Sequence, residues 1–174
     1  MKNIAAAGLM AAAIGQAFNL KHSTSRRHPM HIRSFDDSAI RWNRFGEFLP
    51  AFHYSILHVD EKRRVVDVLF KLPAHGRIVL HVHHALNHTF VVQGEHRLYE
   101  ADGALREIRP AGSYTVSPGS AEPHREGGGE QDAIVFFSIR PGDAELIYEL
   151  LDDAGAPVGA ITFETLAELY RAQR

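Results

Sequence analysis

From about residue 35 the chain is cut into short runs by Gly and Pro, and this punctuation limits its fold more than any other feature. Ser38 to Phe48, carrying Trp42, reads as a short edge segment that stops before Pro50. His53-Tyr54-Ser55-Ile56-Leu57-His58-Val59 alternates as a strand does, and after the charged turn Asp60 to Arg63 a second strand runs from Arg64 to Leu72. Pro73-Ala74-His75-Gly76 breaks that run. Two apolar segments follow, Arg77 to Leu80 and Thr89 to Val92, ending at Gln93-Gly94. Glu95 to Glu100 is set to pair with Ala104 to Arg109 across Asp102-Gly103, a dipeptide that tolerates the positive φ of a tight hairpin. Gly112 to Ser117, Gln131 to Arg140, Ala144 to Leu151 and Gly159 to Phe163 complete the strands. Only at the end does the period change, where Glu164 to Arg171 puts Leu166, Leu169 and Tyr170 on one face of a short amphipathic helix. Strands spaced about 8–12 residues apart predict an all-β sandwich or barrel rather than a βαβ protein.

Within that frame, four histidines fall in the eight residues His81 to His88. Strand side chains alternate between faces, so His81 and His83 share a side, roughly 6–7 Å apart, while His84 points to the other. Two imidazoles so placed can converge on one metal at about 2.0–2.1 Å per nitrogen. His88, beginning the next apolar segment, can lean back towards the same point. A strand rarely buries two unpaired imidazoles without a use for them, which favours a metal site over a polar patch. His75, beside Gly76, reads as a turn residue. A third ligand is offered by Pro123-His124, which follows a short loop after the strand that ends at Pro118-Gly119.

The sequence has 174 residues, enough for one domain with a substantial core. Its net charge of −2 shows no basic surplus of the kind that binds nucleic acid. Cysteine is absent, which excludes disulfides, thiolate metal sites and thiol nucleophiles. A metal here must be held by imidazole or oxygen, which suits iron, manganese, nickel, copper or zinc. No Gly-rich phosphate loop is present: Gly127-Gly128-Gly129 lies between two glutamates and reads as a flexible hairpin tip. Asp36-Asp37 and Asp152-Asp153 read as solvated turns. Residues 1–34 differ in kind, with no acidic residue and an Ala-rich apolar run from Ile4 to Ile14 before Gly15-Gln16-Ala17. The stretch resembles a weak signal peptide and is too short for a membrane span. It reads better as an N-terminal extension, poorly ordered or helical, or as residues before a start at Met30. Residues 35–174 then form the single domain, and a cytoplasmic location is expected, with export as the alternative.

Gly76-x4-His81-x-His83-x4-His88-x5-Gly94 and Gly112-x5-Pro118 through His124 resemble the two motifs of the cupin superfamily. That resemblance implies a double-stranded β-helix (jelly roll), closed here by the short C-terminal helix. Within the superfamily the chain is similar to acetylacetone-cleaving (β-diketone) dioxygenases and to ChrR-like cupins, from about Tyr54 to Tyr170. The likeness includes Pro73-Ala74, the His81-x-His83 pair, His124 and the tail Asp152-Asp153-Ala154-Gly155. By that likeness one Fe(II) would be bound by His81, His83 and His124, and a β-dicarbonyl substrate would be cleaved at a carbon–carbon bond with dioxygen. Where many cupins carry a glutamate ligand this chain has His88, which is therefore either a fourth ligand or a residue behind the ligands.

Three neutral imidazoles would leave a 2+ ion uncompensated, so an all-histidine centre is expected to attract an anionic bidentate ligand such as an enolate. Glu122 and Arg125 flank His124 and are the nearest candidates for proton transfer and for binding a substrate carboxylate, against the reading that they are a surface pair. Phe90, Val92, Phe136 and Phe137 are candidates for the pocket lining or the core. The expected partners are a small-molecule substrate and dioxygen, with no nucleic acid and no membrane, in a homo-oligomer. A metal- or ligand-binding regulatory cupin without turnover is the alternative, since one barrel hosts many chemistries.

Overall fold

The computed structural model describes residues 35–45 and 49–174; the extension and Met30 lie outside them. Twelve strands precede one helix: β1 (Asn43–Phe45), β2 (Leu49–Asp60), β3 (Val65–Leu72), β4 (Leu80–His83), β5 (Leu86–Gln93) and β6 (Glu95–Tyr99) in the first half. β7 (Leu105–Pro110), β8 (Tyr114–Ser117), β9 (Ser120–Gly127), β10 (Ala133–Arg140), β11 (Leu146–Leu151), β12 (Pro157–Thr162) and α1 (Phe163–Ala172) follow. They form two six-stranded sheets, in the orders β1-β2-β3-β10-β5-β8 and β12-β11-β4-β9-β6-β7. All pairings are antiparallel, and the sandwich is the all-β jelly roll that the punctuation predicts.

Alternation builds the core. On β3, Val66, Val68, Phe70 and Leu72 point inward, while Asp67 and Lys71 stand on the other face. β10 contributes Ala133, Val135, Phe137 and Ile139 to the same core, and its central place between β3 and β5 explains why it is apolar on both faces up to Ser138. Phe70 bridges the layer, its ring 5.0 Å from Phe52 and 5.1 Å from Phe137. The hairpin of β6 and β7 turns through Gly103 at φ 89°, as its Asp-Gly sequence predicts. α1 is capped by Thr162, whose hydroxyl accepts from Thr165 N at 3.1 Å, and it buries Phe163, Leu166 and Ala167 against the core. Among the described residues no helix is long and apolar enough to cross a membrane.

Three local expectations are corrected. Asp37 is no free turn carboxylate, since Lys71 Nζ pairs with it at 2.7 Å and Trp42 Nε1 donates to it at 3.0 Å. The segment after Gly119 is a strand, β9, and not a loop. Gly127-Gly128-Gly129 is no flexible tip: all three are buried, because they pass against the backbone of residues 72–76 and the side chain of Glu95. A Cβ on Gly127 would stand 2.0 Å from the carbonyl oxygen of Gly76, so this crossing admits only glycine.

Candidate metal centre

β4 and β9 lie side by side in the middle of their sheet, and His81 is the cross-strand partner of His124. The pleat puts His83 on the same inner face as His81, and Glu126 on the same inner face as His124. Leu80 and Val82, on the outer face of β4, pack instead against Leu151. The four inner side chains are therefore enclosed, with exposures of 4, 8, 7 and 5% for His81, His83, His124 and Glu126.

Their donor atoms all lie within 4.8 Å of one another. The Nε2 atoms of His81 and His83 are 2.9 Å apart, and Glu126 Oε1 is 3.7 Å from His124 Nε2 and 3.9 Å from His83 Nε2. Ligands on bonds of about 2.0–2.1 Å stand about 2.9 Å apart when at right angles and about 4.1 Å apart when opposite, so these separations suit one shared ion. Ring orientation agrees. His81 Nδ1 meets Val79 O at 2.9 Å and His124 Nδ1 meets Glu122 O at 3.3 Å, each a carbonyl two residues back in the chain. With Nδ1 donating to that carbonyl, Nε2 turns a bare lone pair inward. His83 differs: its Nδ1 is 3.2 Å from Asn87 Nδ2, an N–H donor that also donates to Ala85 O, while Asn87 Oδ1 accepts from the Tyr148 hydroxyl, so this ring is held by an amide and not by a carbonyl.

Electrostatics fit the same use. Burial pushes the Glu126 carboxyl up, but the imidazoles of His96, His124 and His83 outweigh it and hold the group well below the usual carboxylate range. Burial lowers His81 to about 4 and His83 well below the ordinary histidine value, so both rings are neutral at pH 7. His124 is shifted upward, because Glu126 outweighs the effect of burial there. Tyr148 is driven up by burial, with the Glu126 charge adding to it, and stays a neutral phenol. Behind the carboxylate, His96 is fully buried and neither ring nitrogen has a hydrogen-bond partner; its Nε2 is 3.3 Å from Glu126 Oε1 but out of line for a bond. Imidazole nitrogens with one ionised carboxylate form a donor set that could hold a metal ion.

Two cavities flank the cluster. One of about 240 Å³ is lined by His83, His124, Glu126, Thr89, Arg106 and Arg109, among others. The other, about 40 Å³, is lined by His81, His83 and Glu126 together with Phe45, Phe52, Phe70, Phe137 and Tyr148, and its exposed wall is almost wholly apolar.

The structure brings His81, His83 and His124 together and sets His88 apart. β5 turns Asn87, Thr89 and Val91 inward, so His88 faces out, where its Nδ1 meets the Tyr114 hydroxyl at 2.6 Å. The same parity removes Arg125: between His124 and Glu126 on β9, it points away and pairs with Asp153 at 2.6 Å. Glu122, in step with His124, is exposed yet lines the larger cavity. His84 is exposed, on the face opposite His81 and His83, and His75 occupies the turn with φ 53°. Of the four candidate lining residues Phe137 reaches both cavities, whereas Phe90 is 41% exposed on the outside and Val92 and Phe136 are half-buried. Glu126 corrects the expectation of an all-histidine, charge-uncompensated centre. Its signal was the spacing His124-x-Glu126, which puts both residues on one face once the segment is known to be a strand.

No protein-family model matches the sequence, and no curated protein does. Solved structures do match. An RmlC-like cupin protein of Ralstonia eutropha superposes with a TM-score of 0.63 at 21% identity, covering 79% of this chain and 83% of that one. An acetylacetone dioxygenase of Acinetobacter johnsonii gives 0.56 at 14% identity, covering 100% of each chain. A second Ralstonia eutropha protein, of unknown function and cupin-like fold, gives 0.56 at 17% identity over 71% of this chain and 72% of that one. At these identities the likeness is one of fold, and the fold is that of the cupins.

Proposed function

We propose that the chain is a non-haem, metal-dependent dioxygenase that cleaves a carbon–carbon bond of a small enolisable substrate such as a β-dicarbonyl. His81, His83, His124 and Glu126 would hold the ion, Fe(II) by this reading. Fe(II), when bound, supplies the redox chemistry with dioxygen. The observation that carries the proposal is the buried three-histidine, one-carboxylate cluster lining both a 240 Å³ cavity and an apolar one of about 40 Å³. The larger cavity lies below the roughly 300–1,000 Å³ of sites for drug-sized ligands, so it suits a small substrate. The smaller one has an almost wholly apolar wall and the size to admit a diatomic molecule. His81, His83, His124 and Glu126 would hold the ion from one side, and the larger cavity, which His83, His124 and Glu126 line, would give a small chelating enolate room to reach it. Glu122 lines the larger cavity from the side of His124 and is the carboxylate placed to take the proton of an enolisable carbon. The fold shared with the Acinetobacter dioxygenase supports the reading.

Anaerobic protein loaded with Fe(II) should develop a charge-transfer band on addition of pentane-2,4-dione or a related β-dicarbonyl. Admitting oxygen should bleach it, with one dioxygen consumed per substrate cleaved. Should a broad panel of β-diketones, β-keto acids, hydroxyacetophenones and catechols give neither band nor oxygen uptake at full iron occupancy, the dioxygenase reading falls and a binding cupin without turnover replaces it.

A further inference from the structure

The larger cavity contains two guanidinium groups, and they are not equivalent. Arg109 is fully engaged: its Nε and Nη2 donate to the two carboxylate oxygens of Glu107 at 2.9 and 2.7 Å, and its Nη1 donates to Thr115 Oγ1 at 3.2 Å. It ties β7 to β8, the edge strands of opposite sheets, and its charge is spent on Glu107. Arg106, also on β7, donates no side-chain hydrogen bond among the described residues and has only a long ion pair. Among the described residues the nearest carboxylate oxygen to it is Glu100 Oε1, 3.9 Å from Nε and beyond hydrogen-bond reach. Its side chain is 31% exposed, lines the cavity, and its positive charge is felt at His124.

The charges around the cavity can be balanced. A 2+ ion on neutral imidazoles and Glu126 keeps one positive charge, which an enolate cancels. Arg109 and Glu107 cancel each other, and Glu122 is solvated at the exposed rim. That leaves Arg106, whose ion-pair partner among the described residues is Glu100 at 3.9 Å with no hydrogen bond between them; its planar five-donor fork is suited to a carboxylate in the cavity it lines.

We propose that the substrate carries a carboxylate in addition to its enolisable group, and that Arg106 binds that carboxylate while the enolate oxygens meet the metal. The substrate class is then an oxo acid of the acylpyruvate type rather than a neutral diketone. The proposal rests on the metal-and-enolate reading above. It also reassigns the carboxylate-binding part that Arg125 loses by facing Asp153.

The test compares 2,4-dioxopentanoate with its methyl ester, which keeps the dicarbonyl and lacks the negative charge. Both are titrated anaerobically into Fe(II)-loaded protein and followed by calorimetry. The acid should bind about 10- to 100-fold more tightly than the ester, the range of a charge-assisted hydrogen bond. Arg106→Gln, with metal content and melting temperature measured alongside, should lose most of that preference, and Arg125→Gln should keep it. Equal binding of acid and ester by the unaltered protein overturns the proposal and leaves the enolate reading standing. A preference that survives in Arg106→Gln also overturns it, since the carboxylate would then be going to the metal. Binding of neither compound defeats the enolate reading and the proposal together.

Discussion

Glu126 stands two residues beyond His124 on the inner face of β9, where its oxygen faces the Nε2 atoms of His83, His96 and His124 within 3.9 Å. Glu126→Gln keeps the shape of the side chain and removes its charge. Metal affinity is expected to fall at least about tenfold, the lower end for loss of a partner close to a metal site, while the circular dichroism of the fold is retained. The His124 ring, now lifted by the carboxylate, should lose that lift, which NMR titration of the metal-free variant would read. Unchanged affinity in Glu126→Gln would mean that the carboxylate only positions the histidines. His88→Ala should leave metal affinity as it is. It removes the bond to Tyr114 on the outer face, worth about 0.5–1.5 kcal/mol of stability.

At the scale of elements, β9 decides the site, and it depends on the crossing of Gly127 over Gly76. Gly127→Ala forces a Cβ against a backbone oxygen that has little freedom to move. Urea unfolding should show a loss of about 1–3 kcal/mol, the usual range for overpacking, together with weaker metal binding, because Glu126 is the adjacent residue. A variant as stable as the parent would show that the crossing is looser than described. β9 also shows where sequence reading runs out. Strands such as β3 and β10 were legible because their inner faces are valine, phenylalanine and isoleucine. β9, Ser-Ala-Glu-Pro-His-Arg-Glu-Gly, carries titratable groups where a core strand carries apolar ones, so hydrophobic periodicity is silent. β5 is misleading for a related reason. Its more apolar set, Leu86, Phe90 and Val92, shares a face with His88, and that face is the outer one. Asn87 and Thr89 face inward because this end of the sandwich encloses a polar cavity, not a core. The pair His81-x-His83 was legible for the opposite reason: its strand is short, flanked by apolar residues, and needs no knowledge of the partner strand.

For the whole molecule, the buried centre ties stability to pH. His81 is held at about 4 against an ordinary 6.5, so between those values the unfolded chain takes up a proton that the folded chain refuses. Metal-free protein should therefore lose on the order of 3 kcal/mol as pH falls from 6.5 towards 4. His83, also depressed, adds loss in the same direction. Glu126, held below its ordinary 4.5, adds a further loss below that value. His124 acts in the opposite sense, its contribution present at low pH and lost as pH rises through its raised value. The balance predicts a lower urea midpoint at pH 4.5 than at pH 7, with the slope unchanged; equal midpoints would show that the rings are not buried neutral. Whether these four side chains share one ion is tested most directly by elemental analysis of protein purified without added metal. One transition-metal ion per chain is predicted, retained by Arg125→Gln and lost on His124→Ala. A parent protein that carries no metal, and takes up none of iron, manganese, nickel, copper or zinc when each is offered anaerobically, would contradict it.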